Sequence, residues 1–418
     1  MTTETIGLPS RAEIPEVHKW DLTPLYSSDE AWNDAFVGLA QQLPTIQQWK
    51  GKLSRSAVAI AACLDQFFAL YRQLDRLGTY AHLRYSEDHG EDAGQNMLQR
   101  AIAAQSEFAA LSSYIIPELM AVNPDRMGKM LSASCLAPYR EFLEKTLRFR
   151  EHTLGEKEEH LLALQSRPAE MVSQIFDQLV DVNLDFGEIK DEKGRPVRLT
   201  HGNYRMFLES SRRSVRQAAF RAYYKQFESH AHTLASILAA SVTQDCFLAR
   251  CRRYASCLEM ALFPDNVPVK VYENLIRSVR GGLPALFQYH RIRAKLLGLS
   301  RLEPWDLYVP VIKAPIVKRR IPYEEAAEII CRAVAPLGPE YIEVLRKGLT
   351  EDRWVERYEN RGKASGAFSS GCYDSPPYIL MNYRDQVLDS MFTLAHEAGH
   401  SMHSWFSRRA RTEADRKS

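Results

Sequence analysis

Membrane-spanning length is the first thing missing from this chain: no uncharged run reaches the roughly 18 apolar residues that a spanning helix requires. The stretch from Ala231 to Gln244 carries no acid, Lys or Arg, yet it is too short and too rich in Ser and Thr. Charge of one sign is missing as well. Lys+Arg number 54 and Asp+Glu 52, a formal net charge of +2, so neither nucleic acid nor an anionic membrane is expected as a partner. Met1 to Ile14 has no basic n-region and no apolar h-region, so no signal peptide is visible. Paired cysteine motifs are absent too. The seven cysteines are scattered, and the closest three, Cys246, Cys251 and Cys257, have neither the CxxC spacing of a metal knuckle nor that of a redox motif. On helices they read as small apolar residues, and a reduced, cytoplasmic compartment is the simplest account. Glycine is sparse, at 20 residues, and no internal repeat or low-complexity segment is present.

What remains is a long chain of ordinary globular composition. Its 418 residues exceed one ordinary core, which predicts two lobes or an elongated multi-lobed body. Apolar residues at three- and four-residue spacing predict helices over Ala57 to Tyr80, Met97 to Leu119 and Phe142 to Leu164. Val180 to Phe186 then alternates at period two, with a turn at Asp191 to Gly194 and a return strand at Pro196 to Leu199. This hairpin is the expected boundary between an N-terminal helical lobe, 1–185, and a second domain, 186–418. Helices resume at Tyr204 and run to about Lys347, broken at Leu262 to Pro268 by two prolines around an Asp-Asn pair. Between Gly362 and Asn382 a small-residue stretch, Ser365 to Tyr373, and a β-rich run, Pro377 to Met381, predict a short hairpin with the second run as edge strand. Asn382, with Asp385 three residues on, is placed to cap a final helix.

That helix carries His396-Glu397-Ala398-Gly399-His400. Residues four apart share a helical face, so both imidazoles can reach one metal ion. Glu397 lies about 100° round the helix, able to address a water on that metal without ligating it. Phe392, Leu394, Ala395, Ala398 and Met402 surround the motif with apolar or small residues. An incidental pair of surface histidines would sit in a polar neighbourhood instead. Zinc suits two histidines and a carboxylate better than harder ions do.

The flanking sequence resembles a known family. Lys363 to Ser369, Tyr373 to Tyr383 and the HEAGH helix look like oligoendopeptidase F, among the thimet-oligopeptidase-like zinc peptidases. Trp20 to Tyr26, Leu199 to Tyr204, Leu262 to Pro268 and Asp306 to Pro310 match in order, so the resemblance covers residues 15 to 407. It implies a mainly α, two-lobed helical zincin-type peptidase, with a small β-hairpin or sheet beside the HExxH helix and a deep channel for short peptides. It implies zinc on His396 and His400, Glu397 as general base, and substrate contacts at Gly366, Ala367, Phe368, Tyr378 and Ile379. An edge strand beside the metal can pair with an extended substrate backbone, although plain sheet packing explains the same strand. The expected activity is a zinc-dependent metalloendopeptidase hydrolysing short oligopeptides, as a cytoplasmic monomer.

The sequence departs from the family at one place. The family's third zinc ligand is a glutamate roughly two dozen residues beyond the second histidine, and here eighteen residues follow His400. His403 is excluded as a substitute because it lies about 10 Å from His396 along the helix axis. Glu413 has the wrong spacing, and Arg408 to Ser418 is charge-rich where further core helices would be expected. A cut-short reading frame is therefore expected, with exposed apolar surface as its consequence. The alternatives are an inactive remnant that still binds peptide, and a separately encoded fragment that completes the site in trans.

Overall fold

A computed structural model of the chain describes residues 9–410 except 312–319, 365 and 386. The fold is mainly helical. It begins with α1 (Asp29–Gln42), α2 (Ala57–Glu87), α3 (Asp92–Ser112), α4 (Ile115–Ala121), α5 (Pro124–Leu131) and α6 (Arg140–Arg148). There follow α7 (Glu156–Asp177), β1 (Glu188–Lys190), β2 (Pro196–Arg198), α8 (His201–Leu208), α9 (Arg213–Ser229), α10 (Ala231–Cys251), α11 (Cys257–Leu262) and α12 (Val269–Leu296). The last part holds α13 (Tyr323–Ala333), α14 (Pro339–Leu349), β3 (Val355–Glu356), β4 (Phe368–Ser370), β5 (Tyr378–Leu380) and α15 (Leu388–Ala410). Two compact units emerge, one formed by 1–148 with 318–418 and the other by 149–317. The β1–β2 hairpin, expected at the boundary near residue 185, lies inside the second unit. Ile189 and Leu199 there share a core with Phe207, Val215 and Ala219 of α8 and α9, so burial ties the hairpin to the two helices after it.

In the first unit, α2 obeys its sequence pattern. Ser56 caps it by accepting from Ala59 N at 3.2 Å, and Ile60, Cys63, Leu64, Leu70, Leu74 and Leu77 are buried along one face. The helix expected over Met97 to Leu119 is interrupted between α3 and α4. Tyr114 at the break sends its hydroxyl to Ile46 O (2.6 Å), a tertiary bond that the periodic pattern does not encode. The N-terminal arm lies along β3. Arg361 N donates to Pro9 O (2.8 Å), Arg357 N to His18 O (3.0 Å) and Asp21 N to Arg353 O (2.9 Å). Arg11 pairs with two buried carboxylates, Glu87 at 2.8 Å and Glu356 at 3.1 Å. Trp20 adds its indole N–H to Glu87 (2.6 Å) and its backbone N–H to Glu356 (3.0 Å). Burial pushes the Glu87 carboxyl up despite the nearby Arg11 and Arg84 guanidinium groups.

Two further expectations from the sequence fail. Residues 178–183 form a π-helical turn instead of a strand, and β1 begins only at Glu188, pairing antiparallel with β2. The alternation misleads because Phe186 is claimed by stacking on Tyr223 of α9 (4.4 Å between centroids) and not by a partner strand. The helix expected from Phe142 to Leu164 ends at Arg148. It resumes at Glu156 in the second unit, where His152 stacks on Tyr254 (3.7 Å) and bonds Arg252 O (2.8 Å).

Also in the second unit, Asp306 is fully buried and takes Arg213 and Arg216 at 2.8 Å each. The fully buried carboxylate thereby has the paired cations that burial requires. Among the described side chains of α12, Arg293 is the buried one. Val271, Leu275, Val279, Leu286, Phe287 and Ile292 are exposed.

Candidate functional site

The sheet beside α15 has the order β3-β5-β4, parallel between β3 and β5 and antiparallel between β4 and β5. The run Pro377 to Met381, expected as the edge strand, is therefore the centre strand. Tyr378, Ile379 and Leu380 are all 0% exposed, which suits a core strand paired on both sides. The edge beside α15 is β4, preceded by Gly366 in the left-handed region (φ 83°) and by Ala367. Of the expected substrate contacts, Gly366, Ala367 and Phe368 thus lie at or beside an edge. Tyr378 and Ile379 lie within the core. Ser365, the first residue of the small-residue stretch, is outside the described residues.

α15 starts at Leu388, not at Asn382. Asn382 instead donates its side-chain amide to Ala364 O and Gly366 O (both 3.0 Å), tying the two strand-bearing segments together. Asp385 O accepts from Ile321 N (2.8 Å). Leu394, Ala398 and Met402 recur every fourth residue and are buried. They share a core with Tyr323, Ala327 and Ile330 of α13 and with Leu345 and Leu349 of α14. Burying Leu394 and Met402 contributes about 2 kcal/mol each, which fixes the rotation of the helix. Phe392, expected among the apolar flanks, is 60% exposed.

With the apolar face inward, His396 and His400 point outward and are exposed, while Glu397 is half-buried on the flank. The two imidazoles meet edge to face, and their Nε2 atoms stand 3.0 Å apart. Two histidine nitrogens on one tetrahedral zinc, each about 2.0–2.1 Å from it, would be separated by roughly 3.3 Å. The pair therefore fits two corners of such a site. Among the described residues, no cluster of three or more His, Cys, Asp and Glu is placed to hold a metal. His403 is exposed, and Glu413 and the charged segment 411–418 lie outside the described residues.

One helical turn beyond Glu397, Ser401 is buried and its hydroxyl meets that of Ser369 on β4 at 2.8 Å. This link places the sheet edge on the Glu397 side of α15. The loop between β4 and β5 is held to the same helix by Arg408, whose guanidinium donates to Ser375 O. Arg409 pairs with Glu340 of α14 at 3.4 Å. The charge-rich segment read from Arg408 onward thus begins inside α15. β3 and the Ser369–Ser401 contact escape sequence reasoning: a two-residue strand has no periodicity, and two serines 32 residues apart give no signal.

Comparison with known proteins gives a consistent picture. A family model described as Peptidase family M3 matches residues 206–416, and one described as Oligopeptidase F matches 118–186. Oligopeptidase PepF of Bacillus subtilis is 39% identical over 403 residues, covering 96% of this chain and 60% of that protein. An oligoendopeptidase F homolog of Borreliella burgdorferi is 33% identical, covering 95% of this chain and 66% of its own length. A Chlamydophila abortus protein solved as a candidate peptidase superposes with a TM-score of 0.89 at 35% identity, covering 97% of this chain and 68% of that one. The chain therefore spans about three fifths to two thirds of the length of these relatives.

Proposed function

The chain belongs to peptidase family M3, and from that premise we propose that it carries the catalytic helix of a zinc-dependent metalloendopeptidase acting on short oligopeptides. The observation that carries this reading is the pair of outward imidazoles 3.0 Å apart, with a half-buried carboxylate beside them on the same helix. His396 and His400 would hold the ion through Nε2. A zinc ion bound there supplies a Lewis acid for the peptide carbonyl and lowers the pKa of water at that position towards neutrality. Glu397 takes the proton of the attacking water on a carboxylate oxygen and passes it to the leaving amine, so no covalent intermediate forms on the protein. The free edge of β4, reached through Gly366, Ala367 and Phe368, pairs with an extended peptide backbone next to Glu397 and gives sequence-tolerant binding. Tyr378 and Ile379 act behind it by holding β4 in place.

Glu397→Gln should abolish hydrolysis of an internally quenched fluorescent peptide while leaving zinc uptake unchanged. Undiminished cleavage by that variant would sink the assignment. A second reading is a peptide-binding protein without turnover, in which the two histidines of α15 hold zinc without further protein ligands. It predicts zinc affinity weaker by orders of magnitude than a complete site, because chelation is lost. Absence of cleavage by the wild-type chain, with weak zinc uptake and retained peptide binding, would select it.

A further inference from the structure

Cys246 on α10 and Cys257, the first residue of α11, bring their sulfurs to 3.5 Å, which is van der Waals contact. The turn between them is firmly held. Tyr254 N donates to Ala249 O (2.8 Å), Arg253 N to Arg250 O (3.1 Å), and Arg253 occupies the left-handed region at φ 60°. Tyr254 itself is buried and stacked on His152 at 3.7 Å. On the far side, Ser256 caps α11 by accepting from Glu259 N (3.0 Å), and Glu259 accepts in return from Ala255 N (2.7 Å). The two thiols are therefore set together by the backbone. Both are partly exposed, unlike the buried Cys63, Cys331 and Cys372, so a small oxidant can reach them.

We propose that Cys246 and Cys257 form an oxidisable dithiol site that closes to an intramolecular disulfide joining α10 to α11 when a hydroperoxide meets the protein. Cys257 Sγ donates and Cys246 Sγ accepts in the thiol–thiol contact, so that hydrogen bond is kept when the accepting sulfur is the thiolate, and Cys246 is the sulfur that attacks first. The Cys246 thiolate attacks one peroxide oxygen, breaking the O–O bond and giving a sulfenic acid and, from hydrogen peroxide, one water. The Cys257 sulfur then attacks the sulfenic sulfur, the S–S bond forms, and the hydroxyl leaves as a second water with the thiol proton. Two thiols are oxidised by two electrons in all, and one hydrogen peroxide is reduced to two waters.

The sequence makes the test clean. Arg250, Arg252 and Arg253 fall between the two cysteines, so trypsin leaves Cys246 in 226–250 and Cys257 in 254–270, each with a single cysteine. After brief hydrogen peroxide treatment of the full chain, non-reducing peptide mapping should show these peptides joined, with loss of the link on adding dithiothreitol. Cys251→Ser should keep the link and Cys246→Ser should lose it. Cys257→Ser should accumulate a dimedone-reactive sulfenic acid on Cys246. A dominant link through Cys251, or oxidation of Cys246 and Cys257 no faster than that of the partly exposed Cys135, would overturn the proposal.

Discussion

Lys363 sits just before the β4 segment and donates from Nζ to Glu356 O (3.2 Å) and Tyr358 O (2.5 Å). Burial disfavours its charged form and pulls its pKa down from 10.5 to about 8. The unfolded chain therefore binds the extra proton between about pH 8 and 10.5, so the cost of the buried charge is fully present below 8. It is relieved as pH rises through that window. The urea midpoint of the wild type relative to Lys363→Met should accordingly improve from pH 8 to 10.5, and a pH-independent difference would exclude this origin. Such a role could not be read from Lys363 itself, because it depends on two carbonyls on a neighbouring segment. That His396 and His400 meet on one face of α15 was legible, because helix geometry alone brings residues four apart together. Thr200 and Asn203 lay in a segment matched by resemblance alone, and their reciprocal capping of each other's backbone N–H (3.3 and 2.8 Å) was not read from it. Trp20 marked a motif but not its meaning, since its partner Glu87 lies 67 residues away.

At the scale of elements, α14 is tied to the site by one missing methyl group. A Cβ on Gly348 would stand 2.2–2.5 Å from ring atoms of Trp354, and Trp354 lies 5.5 Å from Trp405 of α15. Gly348→Ala should therefore lower stability by about 1–3 kcal/mol through overpacking. Gly128 in α5 has nothing within 4 Å of its would-be Cβ, and Gly128→Ala should be neutral or stabilising by up to about 1 kcal/mol. Equal midpoints for the two variants in urea unfolding would contradict this packing argument. Long amphipathic helices such as α2 were readable because burial and periodicity agree along their length. The strands were not. Three-residue strands have too few positions for a period, and whether β5 or β4 is the edge depends on β3, two residues that carry no pattern of their own.

For the whole molecule, α12 contributes a large share of the exposed apolar side chains among the described residues. Val271, Leu275 and Val279 follow one another at four-residue spacing and are each more than half exposed, an unpartnered stripe of the kind that drives association. The chain should enhance the fluorescence of a hydrophobic dye several-fold in the folded state, and Leu275→Glu with Val279→Lys should remove most of that signal. A dye-silent wild type would contradict the exposure. Length alone made two lobes or an elongated multi-lobed body legible, and the chain divides into two compact units. The division was not, since the first unit is assembled from both ends of the chain, and sequence order favours cutting a chain once.

The N-terminal arm along β3 has a consequence in time. Pro9 O waits for Arg361 N, and the Arg11 guanidinium waits for Glu356, some 350 residues later. At a synthesis rate of about 5–20 residues per second, that interval is roughly 20 to 70 s. The residues between, 149–317, leave the ribosome within it. During synthesis, then, the middle of the chain can be finished while its beginning is still unclaimed, and the last strands to emerge decide when the first residues come to rest.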